Sequence, residues 1–453
     1  MNIPSFLPLV ARIRSWRLNP YQVLALGFAG LIFFGACLLT TPLASRTETT
    51  VSFLDALFTS TSAVCVTGLV VVDTGTTYSV FGQMVVIFLI QAGGLGVMTV
   101  ATLFAVLSGK RIMLRERMLI QEATNQIDLS GVVRLVLYIV KATFVIEFIG
   151  GTILAIRFFM DYGPIGIYYG YWHSISAFCN AGFDLLGDYK SLTGYVDDWT
   201  VNLTICFLII FGGIGFPVIA DVLNFRYTKR LTVHTKIVLT ATLFLIVFGS
   251  VFIFMAEYDN AATLASLDLS GKIQASFFQS VTARTAGYNT LDIGAMREAS
   301  LMLLIIWMFV GASPSSMGGG VKTSTVTILI AVFVSQIIGK NEPSLFGRTI
   351  PQQTIYKAGS VVLVSMVLVM TATIAMSFTE SFSLFRILFD VVSGFGTVGL
   401  TTGITPSLTP HGKLWLILTM YAGRVGTMTL FMALTMRIRQ STVKYPDGKF
   451  LVG

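Results

Sequence analysis

The chain has 453 residues, of which 54% are hydrophobic and 11% charged, against roughly 25% charged in an ordinary soluble domain. A soluble surface cannot be covered with so few charges, so the composition excludes a soluble enzyme. The net charge of +8 does not indicate a nucleic acid partner, because 18 of the 30 Lys and Arg residues lie in the tails and in alternate segments between hydrophobic blocks.

These hydrophobic blocks predict membrane helices, which need about 20 apolar residues each. Uncharged stretches of sufficient length span 18–45, 74–109, 237–256 and 358–379. The basic segments occupy 12–17, 110–117, 226–236, 340–357 and 437–449. Under the positive-inside rule these segments and both termini face the cytoplasm, while the more acidic segments face outward. The sequence therefore predicts a multi-pass protein of the cell membrane. Attraction to anionic lipid is the alternative to a protein partner as the explanation for the charge of the basic segments.

A short pattern whose next-to-last residue is glycine occurs four times along the chain, each time between two apolar blocks. Each copy has Ser or Thr five or six residues before its glycine, and the glycines lie 114, 105 and 112 residues apart. The copies are Phe58–Leu69, Trp172–Phe183, Phe278–Tyr288 and Phe389–Leu400. The third copy is one residue shorter than the others.

Each copy predicts a unit of helix, re-entrant loop and helix. Non-helical backbone at membrane depth is tolerated only where it lines a cavity or is buried in protein, which favours a pore loop. Because each unit contains two spans, all four units enter the membrane in the same direction. We therefore predict an all-α polytopic protein with eight spanning helices and four re-entrant pore helices in a fourfold pseudo-symmetric ring. The expected repeats are 18–107, 132–221, 232–335 and 355–440, numbered 1 to 4 below.

The residues that end each copy are candidates for binding a cation through backbone carbonyl oxygens. They resemble single copies of the potassium-channel TVGYG loop, in which carbonyls replace the hydration shell of the ion. Glycine permits the backbone conformations that aim successive carbonyls at one axis. One such glycine alone would indicate helix packing or a turn, whereas four copies favour a filter for K+. The candidate filter residues are Val66, Thr67, Gly68, Asn180, Ala181, Gly182, Thr285, Ala286, Gly287, Thr397, Val398 and Gly399.

The second helices of repeats 1, 2 and 4 contain glycine-rich segments at 93–96, 212–215 and 423–426. Small residues let helices approach closely in lipid, which is the simplest interpretation of most of these glycines. Arg424 takes the place of the second glycine, about 13 residues into its span and roughly 20 Å along a helix. A structural ion pair is one interpretation, but this span has no acidic residue, so we predict a pore-facing positive barrier.

In repeat 3 the glycine pair is replaced by the segment 311–325, which contains a proline and four glycines. The segment does not fit the phosphate-binding pattern GxxxxGK[ST], because Val321 precedes the lysine. We predict an unwound intramembrane loop that obstructs the pore at rest. Its flexible residues would be Gly318, Gly319 and Gly320, followed by Lys322.

The glycine segments, the 311–325 loop and the 421–427 segment together resemble the potassium-translocating membrane subunits of the Trk/Ktr/HKT superfamily, above all the bacterial Ktr subunits, over residues 18–440. In that superfamily the loop and the arginine-bearing last helix form a gate, and glycine in all four pore loops accompanies potassium preference. The resemblance also implies a homodimer on a cytoplasmic KtrA-type ring of nucleotide-binding subunits that responds to ATP and ADP, with Na+ as activator. Surfaces available for docking are 108–131, 221–236, 336–357 and 437–453.

Two other classes of function compete with a gated potassium pore. Secondary transporters also have helices interrupted by Gly or Pro, but many combine inverted repeats with a midplane acid, whereas these repeats are parallel. An intramembrane enzyme would need a nucleophile and a base in facing spans, and the sequence offers no such pair. Asp55 and Asp390 are expected near the starts of pore helices, where a helix N-terminus favours negative charge. Lys141 has Glu147 as a potential buried partner.

Overall fold

The computed structural model describes residues 19–46, 50–107, 132–340 and 342–434. These parts are mostly helical, and many of the helices are apolar. The predictions for both termini and for the docking segments 108–131 and 437–453 lie outside the described residues.

Four groups of helices follow the four repeats along the chain. In chain order they are α1 (Pro20–Leu39), α2 (Phe53–Cys65), α3 (Thr74–Thr77), α4 (Val80–Leu95), α5 (Val97–Leu107), α6 (Val132–Tyr162), α7 (Ile165–Phe178), α8 (Trp199–Ile214), α9 (Phe216–Thr228), α10 (Val233–Glu257), α11 (Leu269–Thr282), α12 (Glu298–Phe309), α13 (Thr323–Ile337), α14 (Gln352–Thr379), α15 (Leu384–Gly396), α16 (Pro410–Val425) and α17 (Thr427–Leu434). Strands β1 (Ser344–Leu345) and β2 (Arg348–Thr349) form an antiparallel hairpin between α13 and α14.

Helices α1, α6, α10 and α14 begin the four repeats, and each contains a segment long and apolar enough to cross a membrane. The pairs α8–α9 and α16–α17 also pass this test if each pair is one span, although they bend by 97° and 94°. The described residues therefore contain four to six candidate spans by length and composition. The prediction of eight spans stays a prediction.

A short helix precedes each glycine segment, as predicted for pore helices: α2, α7, α11 and α15. In three of them a hydroxyl near the middle ties the helix to the first helix of its repeat. The hydroxyls of Ser60, Ser174 and Ser280 donate to backbone carbonyl oxygens. The acceptors are those of Ile32 at 2.7 Å, Glu147 at 2.7 Å and Ile246 at 2.8 Å respectively. These bonds hold the three short helices against the first helices of their repeats.

The second helices of repeats 1, 2 and 4 are each broken at one glycine with a left-handed backbone. These glycines are Gly96, Gly215 and Gly426, with φ of 87°, 91° and 92°. A residue with a side chain rarely adopts such a conformation, which explains why the helix stops where glycine stands. In repeat 3 the second helix is interrupted by a longer segment, since α12 ends at Phe309 and α13 begins at Thr323.

Close packing accounts for the glycines that precede these breaks. A Cβ on Gly93, Gly212 or Gly423 would collide with the backbone carbonyl of Val64, Phe178 or Phe395 respectively, near the end of a pore helix. The interpretation of these three glycines as helix-packing residues is therefore confirmed. The second helices therefore contact the C-terminal ends of the pore helices, and this contact positions the glycine segments that follow.

Candidate functional site

The four glycine segments meet in a closed ring. A Cβ added to any of the four glycines would strike the carbonyl oxygen of the residue just before the glycine of the next repeat. These contacts run from Gly68 to Ala181, from Gly182 to Ala286, from Gly287 to Val398 and from Gly399 back to Thr67. The predicted filter segments are thus brought together at one level, with backbone packed against backbone.

The backbone of all four segments follows one unusual pattern. In each, a left-handed residue stands two positions before a left-handed glycine. The pairs, with their φ angles, are Val66 (58°) and Gly68 (90°), Asn180 (60°) and Gly182 (68°), Thr285 (71°) and Gly287 (82°), and Thr397 (52°) and Gly399 (98°). A left-handed β-branched residue costs on the order of 1–3 kcal/mol, and such strain gathers at functional sites.

Hydroxyl groups five or six residues before each glycine hold these conformations in place. In repeats 1 and 4 the hydroxyl accepts a bond from the glycine itself: Gly68 N donates to Ser62 Oγ, and Gly399 N to Ser393 Oγ, both at 3.1 Å. In repeats 2 and 3 the hydroxyl donates to the carbonyl after the glycine. Ser176 Oγ lies 2.9 Å from the Phe183 oxygen, and Thr282 Oγ1 lies 2.6 Å from that of Tyr288. The recurring Ser or Thr of the sequence pattern is therefore a brace for the ring.

The ring provides oxygen atoms of backbone carbonyls, which are uncharged. Each pore helix directs its C-terminal end, with its partial negative charge, toward its own glycine segment. Among the described residues, no three His, Cys, Asp or Glu side chains gather into a group that could hold a metal ion. Backbone carbonyl oxygens are the kind of ligand that coordinates K+ in the filters of potassium channels.

The 311–325 loop lies directly against this ring. Gly319 N donates a hydrogen bond of 2.9 Å to Thr397 Oγ1. A Cβ on Gly318 would collide with the Thr285 side chain. Within the loop, Lys322 Nζ donates to the carbonyl of Gly318 at 2.7 Å. Two of the predicted gate glycines thus contact two of the predicted filter residues.

The loop also completes the broken helix of repeat 2. The carbonyl groups at a helix end lack intrahelical donors and need other partners. Here Met317 N donates to the Gly212 oxygen at 3.0 Å, and Ser313 N donates to the Gly213 oxygen at 3.1 Å. The loop is consequently held from two sides, by the ring and by the end of α8.

Arg424 fills the corresponding role in repeat 1. Its Nη2 donates to the carbonyl oxygens of Gly94, at 2.9 Å, and of Gly93, which occupy the same positions as Gly213 and Gly212. Its Nη1 donates to the Met317 oxygen in the loop. Because the helix breaks at Gly426, Arg424 lies in the last turn of α16, where a cation is favourable, and not within a continuous span as the sequence suggested.

A cavity of about 390 Å³ lies beside the loop. Its lining includes Gly318, Gly320, Lys322 and Arg424, and no Asp or Glu of the described residues contributes to it. Four of the five predicted gate residues therefore border one basic chamber, and Gly319 is not part of its lining.

The TrkH family model, described as a cation transport protein, matches residues 31–444. The chain belongs to the TrkH family of cation transport proteins. Proteins of this family are ion transporters and not enzymes, in agreement with the exclusion of an enzyme from the sequence.

Individual relatives of this TrkH-family chain match over almost its whole length. The Ktr system potassium uptake protein B of Bacillus subtilis is 44% identical over 98% of this chain and 99% of its own. The potassium/sodium uptake protein NtpJ of Enterococcus hirae is 40% identical over the same shares. The crystal structure of the potassium transporter TrkH from Vibrio parahaemolyticus superposes with a TM-score of 0.73, at 18% identity, covering 93% of this chain and 86% of that one. This last likeness supports the coarser part of the fold prediction, a mostly helical chain with many apolar helices.

Some charged residues of the TrkH-family chain have partners that the sequence did not indicate. Glu147, 4% exposed, accepts from Gln91 Nε2 at 3.3 Å, and Lys141 is exposed; the expected pairing of these two is wrong. Asp55 lies in the first turn of α2 as expected and pairs with Lys413 at 2.6 Å.

Asp390 does not lie at the start of its helix, contrary to the sequence interpretation. It occupies the middle of α15 and is fully buried. Its carboxylate accepts bonds from the hydroxyls of Thr401 at 2.8 Å and Thr405 at 2.6 Å. It therefore braces the loop that follows the fourth glycine segment. The cluster of threonines 11 to 15 residues downstream was the available signal.

Proposed function

We propose that this TrkH-family protein takes up potassium across the cytoplasmic membrane through a selectivity filter formed by its four glycine segments. The closed ring of left-handed glycines, each packed on the carbonyl of the next repeat, is the observation that supports this most. The names of the Bacillus subtilis and Enterococcus hirae relatives, a potassium uptake protein and a potassium/sodium uptake protein, support potassium as the ion. The filter oxygens are then the backbone carbonyls at 66–68, 180–182, 285–287 and 397–399, in a pseudo-fourfold assembly of eight spans.

We assign the gate to the 311–325 loop and Arg424. The loop contacts the ring through Gly318 and Gly319, and Arg424 ties it to the broken helix of repeat 1. Ion passage requires this segment to move away from the ring. Hydrogen bonds of the kind seen here can break and reform singly, which suits a gate better than a packed helix would.

The remaining assignments follow the Ktr resemblance and the charge pattern. Relatives named as parts of a Ktr system support a partner complex. From the Ktr resemblance we assign its form, a homodimer on a cytoplasmic KtrA-type ring that responds to ATP and ADP. The name of the Enterococcus relative supports sodium as a second ion, and we assign it the role of activator. We also assign both termini to the cytoplasm, which the positions of the basic segments support.

Potassium uptake in a bacterium that lacks its own uptake systems tests the filter. We expect Gly68→Ser, Gly182→Ser, Gly287→Ser and Gly399→Ser each to weaken the preference for K+ over Na+, because each new side chain meets the carbonyl of the next repeat. Gly359→Ser in α14, where a Cβ has open space, is the matched control. Unaltered preference in all four variants would refute the filter.

A further inference from the structure

Arg284 is a buried cation within the third glycine segment. It precedes Thr285 and lies three residues before Gly287. Its side chain is only 4% exposed, and its Nε and Nη2 make no hydrogen bond to any described residue. Within the same part of the chain no acidic side chain forms an ion pair with it. Its charge is therefore uncompensated.

An uncompensated buried charge is costly, and a purely structural arginine would recover that cost through its hydrogen bonds. Arg424 illustrates the ordinary solution, since its guanidinium donates to three carbonyl oxygens. Arg284 leaves two of its donor atoms unused. Ionisable residues retained inside a membrane protein at such a cost usually serve its function.

The charge also breaks the symmetry of the ring. Three residues before the other glycines stand Cys65, Cys179 and Gly396, all uncharged. The backbone of Arg284 belongs to the layer beneath the glycines, because its carbonyl oxygen lies 3.5 Å from the Asn180 amide, which itself contacts Thr285 Oγ1 at 3.1 Å. Arg284 directly precedes the filter residue Thr285, and charges closer than about 10 Å are incompletely screened even when they are exposed.

We propose that Arg284 sets the affinity of the filter by weakening the binding of cations to the ring. Conduction requires an ion to bind well enough to be selected and weakly enough to leave. Carbonyl oxygens and four helix ends favour binding, and one fixed positive charge on the side of repeat 3 opposes it. Arg284 acts on the ion through the field and does not contact it. This inference rests on the proposed filter.

Potassium binding to the purified full chain in detergent, by titration calorimetry, is the test, together with uptake into proteoliposomes. We expect Arg284→Gln and Arg284→Cys to bind K+ about tenfold more tightly, as loss of one nearby charge predicts, and to lower maximal uptake. Arg284→Lys keeps the charge and should keep the affinity. Arg386→Gln removes an exposed charge from pore helix α15 and is the control.

Unchanged affinity in the neutral variants would overturn the proposal, as would affinity lost equally in the Lys and Gln variants. Cysteine stands at the same position in repeats 1 and 2, so Arg284→Cys offers a second route to a folded protein. Unfolding of both neutral variants would assign Arg284 a structural role and also overturn the proposal. Gly287→Ser distinguishes failure of the proposed filter from failure of the proposed role of Arg284. If Gly287→Ser alters K+ preference while Arg284→Gln leaves K+ affinity unchanged, the filter stands and only this inference fails.

Discussion

Arg424 Nη2 donates a 2.9 Å hydrogen bond to the carbonyl oxygen of Gly94, although the two residues are 330 positions apart. This bond joins the last long helix to the broken second helix of repeat 1. With the bond from Nη1 to Met317, it makes Arg424 the link between two repeats and the loop beneath the ring.

Arg424→Ala should therefore raise the rate of potassium uptake or change its dependence on sodium. Hydrogen bonds to a charged group contribute about 1.5–3 kcal/mol each, so their loss should favour the open gate by at least about tenfold. Arg424→Lys keeps the charge but cannot reach three carbonyl oxygens, so its uptake rate should lie between those of the parent and the alanine variant. Uptake into proteoliposomes measures this, with the exposed Arg386→Ala as control. Identical flux in the alanine variant and the parent would refute the role.

Thr397→Val should also loosen the gate. The hydroxyl of Thr397 accepts the Gly319 N–H at 2.9 Å, and an orphaned buried donor costs about 1–3 kcal/mol. That cost falls on the closed state, so uptake should rise. Thr242→Val is the matched control, because the Thr242 hydroxyl is buried without a partner among the described residues. Equal uptake by the two variants would contradict the contact's role in closure.

Ser393→Ala should reduce both the stability of the protein and its preference for K+ over Na+. Without the hydroxyl, the Gly399 N–H loses its 3.1 Å partner, at a cost of about 1–3 kcal/mol. Thermal unfolding in K+ and in Na+ buffers measures the loss of stability, which should be larger in K+. Ser360→Ala is the control, because it removes an exposed hydroxyl that bonds within its own helix. If Ser393→Ala changed stability and K+ preference no more than Ser360→Ala, the proposed bracing role of Ser393 would be contradicted.

Asp184 should make stability depend on pH. It lies in the loop between the second glycine segment and α8, outside the spanning helices. Burial, and then the charge of Asp73, raise the pKa of Asp184 to about 7, whereas the pKa of an unfolded aspartate is about 3.9. Between these values the folded protein holds a proton that the unfolded chain has released, so stability should fall as pH rises from about 4 to 7.

Thermal unfolding across this pH range compares the parent with Asp184→Asn. In Asp184→Asn the fall in stability between about pH 4 and 7 should be smaller than in the parent. Asp188→Asn, which removes an exposed ion pair with Lys190, should show the same fall as the parent. The same slope in the parent and in Asp184→Asn would show that Asp184 does not carry the effect.

Repetition made the ring predictable from the sequence. The glycines and the Ser or Thr before them recur at nearly fixed spacing, so their equivalence could be recognised before their contacts were known. The breaks at Gly96, Gly215 and Gly426 were harder to predict, because a left-handed φ leaves no mark that separates them from the packing glycines nearby.

The individual contacts between unlike parts could not be predicted, although the 311–325 loop was expected to lie in the pore. The bond between Gly319 and Thr397 crosses 78 positions and joins a loop that occurs in only one repeat to a segment that occurs in all four. Periodicity carries no information about such pairs. Asp390 was misplaced for a related reason: its charge suggested a helix start, whereas its partners follow the helix in the chain.

The measurement that bears most directly on the filter is the ratio of K+ to Na+ flux into proteoliposomes for Gly68→Ala, Gly182→Ala, Gly287→Ala and Gly399→Ala. One methyl group suffices, because each Cβ meets the carbonyl of the neighbouring repeat, whereas Gly30→Ala in α1 meets nothing within 4 Å. We expect each ring variant to lose at least about tenfold of the ratio, through steric strain on the carbonyls that bind the ion. Ratios equal to that of Gly30→Ala at all four positions would contradict the account.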